Sequence, residues 1–147
     1  MDKIEICEMT HSDIEEVVAI EEESFSTPWS NKSFEDSLKL PYGKFYVART
    51  EGKVVGYVGL YLVGEEGDIT NVAVLSQYRR KGIAGKLIEK VINYAKENEI
   101  NCINLEVRPS NSSAIKLYEK YGFDELGKRK NFYSKPTEDA LIMRKDI

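Results

Sequence analysis

The run Arg79-Arg80-Lys81-Gly82-Ile83-Ala84-Gly85 lies between two segments of different periodicity. Ahead of it, Asp68–Val74 (DITNVAV) is a β-branched stretch that follows the turn signal Gly64-Glu65-Glu66-Gly67, and it reads as a strand. Behind it, Ala84, Leu87, Ile88, Val91, Ile92 and Ala95 recur at three- and four-residue steps across Gly82–Asn98, the period of a buried helix face. The run is therefore a strand-to-helix turn that is both basic and glycine-bearing. A helix start exposes unpaired N–H groups and a partial positive charge. Glycine removes the Cβ atoms that would hold a phosphate away, and Arg and Lys add charge-assisted hydrogen bonds. Together these features make a cradle for a pyrophosphate. The plainer alternative is a solvated basic helix start whose glycines serve turn geometry. The G-x-x-x-x-G-K-[ST] spacing is not met, because Gly85-Lys86 is followed by Leu87, and G-x-G-x-x-G is not met either. The pattern [QR]-x-x-G-x-[GA] is met, with Arg79, Gly82 and Ala84 in its fixed positions.

Upstream, Lys44–Thr50, the turn Glu51-Gly52-Lys53 and Val54–Val63 join Asp68–Val74 as an antiparallel meander. Downstream, Asn101–Val107 is a strand with Ile103, Leu105 and Val107 on one face. Strand, helix, strand in that order predicts a right-handed crossover and parallel pairing. Asn111 or Ser112 opens a further helix with Ile115, Leu117 and Tyr118, closed by Gly122 as its C′ residue. Phe123–Tyr133 and Asp139–Lys145 read as final strands. Near the start, Thr10 with Asp13 resembles a capping box. Ile14, Val17, Val18 and Phe25 mark the buried face of a first helix, with Glu15, Glu16 and Glu21–Glu23 in solvent. Pro28 breaks that element. Ser30 caps a second helix carrying Phe34 and Leu38, ended by Pro41. The predicted order is α α β β β α β α β β, an α/β domain with a mixed sheet, read as a single domain over residues 1–147.

Composition excludes several classes. Apolar residues make up 41% and charged residues 31%, ordinary for a globular protein. No apolar run approaches the ~20 residues of a membrane span, and the N-terminal MDKIEICEM has no signal-like apolar core. The expected compartment is the cytoplasm, with no membrane partner. Cys7 and Cys102 read as reduced core residues. Two cysteines and the single His11 make no four-ligand zinc site, so no metal is expected. A net charge of −4 argues against a nucleic-acid module.

With these residues in place, the chain resembles the GNAT acetyltransferase superfamily. The resemblance rests on Ile69-Thr70-Asn71-Val72-Ala73-Val74, the turn, the long helix, the strand ending Glu-Val-Arg, then Asn111 and Leu117-Tyr118. Within it, the chain is similar to the RimI type, the ribosomal-protein alanine N-acetyltransferases. That closer match is carried by Glu22–Ser30 (EESFSTPWS), Leu105–Asn111 (LEVRPSN), Ala114–Tyr118 (AIKLY), Gly122-Phe123, Arg129–Tyr133 (RKNFY) and Glu138–Met143 (EDALIM). The resemblance implies the acyl-CoA N-acyltransferase fold, a central mixed sheet flanked by helices, and acetyl-CoA as co-substrate.

It also implies roles. The backbone of Val72, Ala73 and Val74 would face the pantetheine arm and the thioester carbonyl. Arg79, Arg80, Lys81, Gly82, Ile83, Ala84 and Gly85 would hold the pyrophosphate. Asn111 would touch the cofactor arm, or serve as a helix N-cap alone. Glu106 would be the base and Tyr118 the acid that protonates the departing sulfur. Without the resemblance, a strand-end glutamate and a core tyrosine are the plainer readings of those two. Phe25, Pro28 and Trp29 would form one wall of the acceptor groove and Tyr133 the other, although packing alone accounts for Trp29 equally well. An N-terminal amine, with a pKa of about 7.7–8.0 against about 10.4 for lysine, requires less help from a base.

Three functions stay open from sequence. The first is Nα-acetylation of a protein, above all an N-terminal alanine of a small-subunit ribosomal protein, by a monomer or weak homodimer. The second is acetylation of a lysine or a small amine on the same fold. The third is a non-catalytic acyl-CoA sensor.

Overall fold

The computed structural model describes residues 3–147. Among them, seven strands form one sheet: β1 (Glu5–Glu8), β2 (Gly43–Thr50), β3 (Lys53–Val63), β4 (Glu66–Val74), β5 (Cys102–Val107), β6 (Asp124–Tyr133) and β7 (Glu138–Asp146). The spatial order is β1-β2-β3-β4-β5-β7-β6. Four helices flank it: α1 (Ile14–Ser24), α2 (Asn31–Leu38), α3 (Ile83–Glu97) and α4 (Ser112–Lys120). Neighbouring strands are antiparallel except β4 and β5, which the α3 crossover makes parallel, as the strand-helix-strand order predicts.

Each helix face goes where its periodicity points. Leu87, Ile88 and Val91 of α3 pack with Ile103, Leu105 and Val107 of β5 on one side of the sheet. On the other side Val17 and Ile20 of α1 and Phe34 of α2 pack with Phe45, Val47 and Tyr57. The Ser30 hydroxyl caps α2 by accepting the Ser33 N–H. Gly122 follows α4 with φ +93, the left-handed conformation a C′ glycine supplies.

Three expectations need correcting. β1 was not foreseen: four residues, Glu-Ile-Cys-Glu, are too few to display a period, and they become a strand by pairing with β2. Phe25 does not lie on the α1 face, because the helix ends at Ser24. Phe25 is already extended (φ −129, ψ 145) and 38% exposed. Glu21, placed in solvent with Glu22 and Glu23, is 1% exposed. The stripe that puts Ile14, Val17 and Val18 inside also puts position 21 inside, seven residues after Ile14.

What positions the site is an interruption of the sheet. β4 and β5 pair only through Glu66–Asp68 against Cys102–Asn104, among the described residues. Beyond that, Ile69–Val74 and Leu105–Val107 diverge, so one backbone edge of β4 faces no strand. A bulge marks the divergence. The β3–β4 register jumps from Leu60↔Ile69 to Gly59↔Asn71 and leaves Thr70 unpaired, which bends and twists β4 locally.

Candidate active site

The divergence of β4 and β5 leaves a slot between the two strands, and β4, the turn into α3 and β5 carry several of the residues singled out from sequence. The free edge of β4 carries Val72, Ala73 and Val74. Ala73 and Val74 are buried, so what this stretch presents to the slot is backbone. Past the end of β4 the chain makes a short 3-10 turn at Ser76–Tyr78 and enters the basic run. The Arg79 Nε–H donates to the Val74 carbonyl at 2.9 Å, so this side chain fastens the turn to the strand. Arg80 (φ 64) and Gly82 (φ 77) both take left-handed backbone conformations, and that is how the chain reverses into α3. The N–H groups of Gly82 to Gly85 then precede the first intrahelical bond, from Lys86 N–H to the Gly82 carbonyl at 3.1 Å. Arg80, Lys81 and Gly82 are exposed beside those donors, Lys81 lies 5.5 Å over the Tyr78 ring, Ala84 is half-buried, and Ile83 points into the core.

The two nearby glycines differ. A Cβ at Gly82 would meet nothing within 4 Å, so that position asks for glycine through its φ alone. A Cβ at Gly85 would overlap the Tyr121 hydroxyl and come within 3.1 Å of its Cζ. Gly85 is therefore needed for the close approach of α4's end to α3, a demand separate from room for a phosphate.

Glu106 lies on the β5 face opposite Leu105 and Val107, away from the α3 core. It is half-buried and 3.7 Å from the Arg129 Nε on β6. Burial raises its pKa, Arg129 opposes that rise, and the charge of Asp68 adds to it. Tyr118 reaches the same region from α4 on the other face. It is 6% exposed, edge-on to Phe123 at 5.9 Å, and burial holds its phenol well above the ordinary tyrosine value. Tyr133 completes the group. Burial and then the Glu106 charge push its phenol up to about 12, while Arg108 opposes them. Tyr133 also contributes to the upward shift of Tyr118. Tyr133 thus stands between the other two, feeling the Glu106 charge and itself acting on Tyr118.

The remaining predicted residues are more dispersed. Asn111 caps α4, its Oδ1 accepting the Ala114 N–H at 3.2 Å, so the N-cap role is filled. Trp29 belongs to an aromatic cluster, 5.2 Å from Phe34 and 6.4 Å from Tyr61, while Phe25 and Pro28 are exposed beside it.

Sequence reasoning missed two groups. One is the buried Glu21, which accepts from Trp29 N–H (2.9 Å), from Asn71 Nδ2 (3.2 Å to each oxygen) and from the Tyr57 hydroxyl in a short contact. The helical period was the available signal. The other is Arg108, whose partners lie 25 to 30 residues away, where no local pattern reaches.

The fold and this slot define an acyl-transfer enzyme class. The acetyltransferase (GNAT) family model matches residues 14–123, and the chain belongs to that family. Among individual relatives, it is 34% identical over 142 residues to the ribosomal protein bS18-alanine N-acetyltransferase of Escherichia coli (strain K12), covering 94% of each chain. It is 37% identical over 142 residues, 96% of this chain and 94% of the other, to a Bacillus subtilis (strain 168) protein that bears the same name provisionally. In three dimensions it superimposes on the crystal structure of the E. coli ribosomal-protein-S18-alanine N-acetyltransferase with a TM-score of 0.91 at 31% identity, covering 99% and 94% of the two chains. Ard1 from Thermoplasma volcanium follows at 0.90 and 28% identity, covering 98% and 97%.

Proposed function

We propose that this acetyltransferase moves an acetyl group from acetyl-coenzyme A to the N-terminal α-amine of a protein. The acceptor its relatives point to is the N-terminal alanine of a small-subunit ribosomal protein in the cytoplasm, with residues 1–147 acting as one catalytic domain. The observation that carries this reading is the half-buried Glu106 beside the slot, paired with Arg129 at 3.7 Å and acting on Tyr133, which in turn acts on the buried Tyr118.

The residues present fit acetyl-coenzyme A. The unpaired edge at Val72-Ala73-Val74 offers backbone groups to an extended amide-bearing arm. The N–H groups of Gly82 to Gly85 with Arg80 and Lys81 suit a pyrophosphate, and Arg79 supports that turn through Val74. When bound, the co-substrate supplies the acetyl thioester. Glu106, whose pKa burial raises and Arg129 opposes, takes the proton that the acceptor ammonium must lose, directly or through one water. An α-amine titrating near pH 8 suits a base of this modest strength better than a lysine would. Tyr118 keeps its proton throughout the neutral range, so it can give that proton to the departing sulfur. Phe25, Pro28 and Trp29 on one side and Tyr133 on the other line the acceptor's approach. No step asks for a cysteine acyl carrier or a metal.

Intact-mass analysis of a peptide panel tests the assignment. Acetylation confined to free alanine N-termini is the expected result. Acetylation of N-terminally blocked peptides through lysine would move the acceptor to a side chain. Bound cofactor with no acetylated peptide would direct the search to small amines or a sensor.

A further inference from the structure

Arg108 follows Glu106 by two residues and is the first residue past the end of β5. Its guanidinium turns onto the connection between β6 and β7. Nη1 donates to the Pro136 carbonyl at 2.9 Å and to Glu138 Oε1 at 3.2 Å, and Nη2 donates to the Ser134 carbonyl at 3.0 Å. The guanidinium Cζ stands 4.4 Å from the centre of the Tyr133 ring. Glu138 carries the connection onward. It accepts the Ser110 N–H at 3.0 Å and the Ser110 hydroxyl at 2.9 Å, which ties β7 to the loop entering α4. Arg108 and Glu138 each keep 23% of their side chains exposed, so the pair is largely shielded from water. Three separated sequence blocks, 105–111, 129–133 and 138–143, therefore meet at one guanidinium.

A lysine offers no such arrangement. The planar fork satisfies two backbone carbonyls and a carboxylate while its charge sits over a ring, and a single ammonium does not reproduce that set. The segment it holds has little else to fix it. Ser134, Lys135, Pro136 and Thr137 are exposed, and the β6–β7 register is interrupted between Arg129 and Tyr133. Tyr133, at the end of that irregular stretch, is the residue that senses the Glu106 charge.

We propose that Arg108 is a positioning residue that sets the acceptor-side wall of the slot, clamping Tyr133–Glu138 over the end of β5 so that the Tyr133 ring stays beside Glu106. This rests on the reading that Tyr133 faces the acceptor. The clamp acts on acceptor recognition and leaves the cofactor cradle, on β4 and α3, untouched.

The test compares the full-length wild type with Arg108→Ala and Arg108→Lys in two measurements. Amide hydrogen exchange on the free protein needs no acceptor and reads the clamp alone. Exchange in 131–138 should quicken about tenfold or more in Arg108→Ala, the scale of losing charge-assisted hydrogen bonds, while α3 keeps its protection. Steady-state kinetics, on whichever amine the wild type acetylates, read the consequence. The acceptor KM should rise about tenfold with acetyl-coenzyme A affinity held within about twofold, and Arg108→Lys should not restore it. Unchanged exchange would overturn the clamp. Quickened exchange with unchanged acceptor KM, or acceptor and cofactor affinities falling together, would overturn its role in the wall. A wild type that acetylates lysine or small amines but no N-terminus would refute the proposed acceptor while leaving the clamp to be judged by exchange.

Discussion

Glu21 Oε2 accepts the backbone N–H of Trp29 at 2.9 Å, across the turn in which α1 ends and the chain heads for α2. The same carboxylate holds the Asn71 amide on β4, one residue past the Thr70 bulge, and the Tyr57 hydroxyl on β3. One buried group thus joins the turn that holds Trp29, the proposed acceptor-side wall, to the strand that borders the slot.

Replacing Glu21 with Ala leaves a hydroxyl, a backbone N–H and a side-chain amide without their acceptor. Each such loss costs about 1–3 kcal/mol, so a stability loss of about 3 kcal/mol or more is expected. For a chain of this size that is roughly 10 °C in Tm, measured by calorimetry. Burial raises the Glu21 pKa above its ordinary value, against the opposing hydrogen bonds. The folded state then binds the proton more readily than the unfolded state, so this group's contribution is full below the ordinary carboxylate range and is lost as pH rises through the raised folded pKa. Glu21→Gln, which keeps an acceptor oxygen and has no charge, should flatten that decline when Tm is followed against pH.

Glu106→Gln should lower kcat by about a hundredfold or more, the usual share of a general base, with acetyl-coenzyme A affinity nearly intact. Arg129 is the cation that favours the ionised form of Glu106. Arg129→Ala should therefore raise the Glu106 pKa and move the acid limb of the kcat–pH profile to higher pH, whereas Arg129→Lys should move it less. A limb that stays in place in Arg129→Ala would detach Glu106 from the rate.

Tyr118→Phe keeps the edge-on contact with Phe123 and deletes only the hydroxyl. Turnover should fall by about a hundredfold, with Tm changed little. A large fall in Tm with turnover per folded molecule preserved would return Tyr118 to a packing role.

Gly85→Ala should weaken acetyl-coenzyme A binding and lower Tm, because the new methyl meets the Tyr121 hydroxyl. Tyr121→Phe removes that oxygen together with its 3.2 Å bond to Glu89. In the double variant part of both losses should return, measured by titration calorimetry and thermal unfolding. Failure of the double variant to recover binding would mean that the glycine's effect lies at the phosphate.

The order of elements from α1 to β7 was legible because each carries its own punctuation. Ser30 starts α2, Gly122 closes α4, and the α3 stripe runs through six apolar positions. The turn into α3 and the place of Glu106 near a strand end were legible from local pattern, whereas the role of Glu106 as a base came from the family resemblance alone. β1 was not, since its four residues are ordered only by pairing with β2. Glu21 was misplaced because its charge was given more weight than its position on the stripe. Arg108 was invisible for a different reason. Its carbonyl partners are at Ser134 and Pro136, and hydrogen bonds to a distant backbone leave no trace in side-chain identity.

Three rungs, Glu66 to Asp68 against Cys102 to Asn104, join what are in effect two plates. One plate, β1 to β4, carries the proposed cofactor edge, and the other, β5 with β7 and β6, carries Glu106 and Tyr133, with Arg108 just past the end of β5. Their mutual angle fixes how far donor and acceptor groups stand apart. Gly67 sits in the middle rung opposite Ile103, and a Cβ there would lie 3.0 Å from Leu60. Gly67→Ala acts on that angle without touching either rim. It should alter cofactor and acceptor affinities together, a single methyl working as a lever on both.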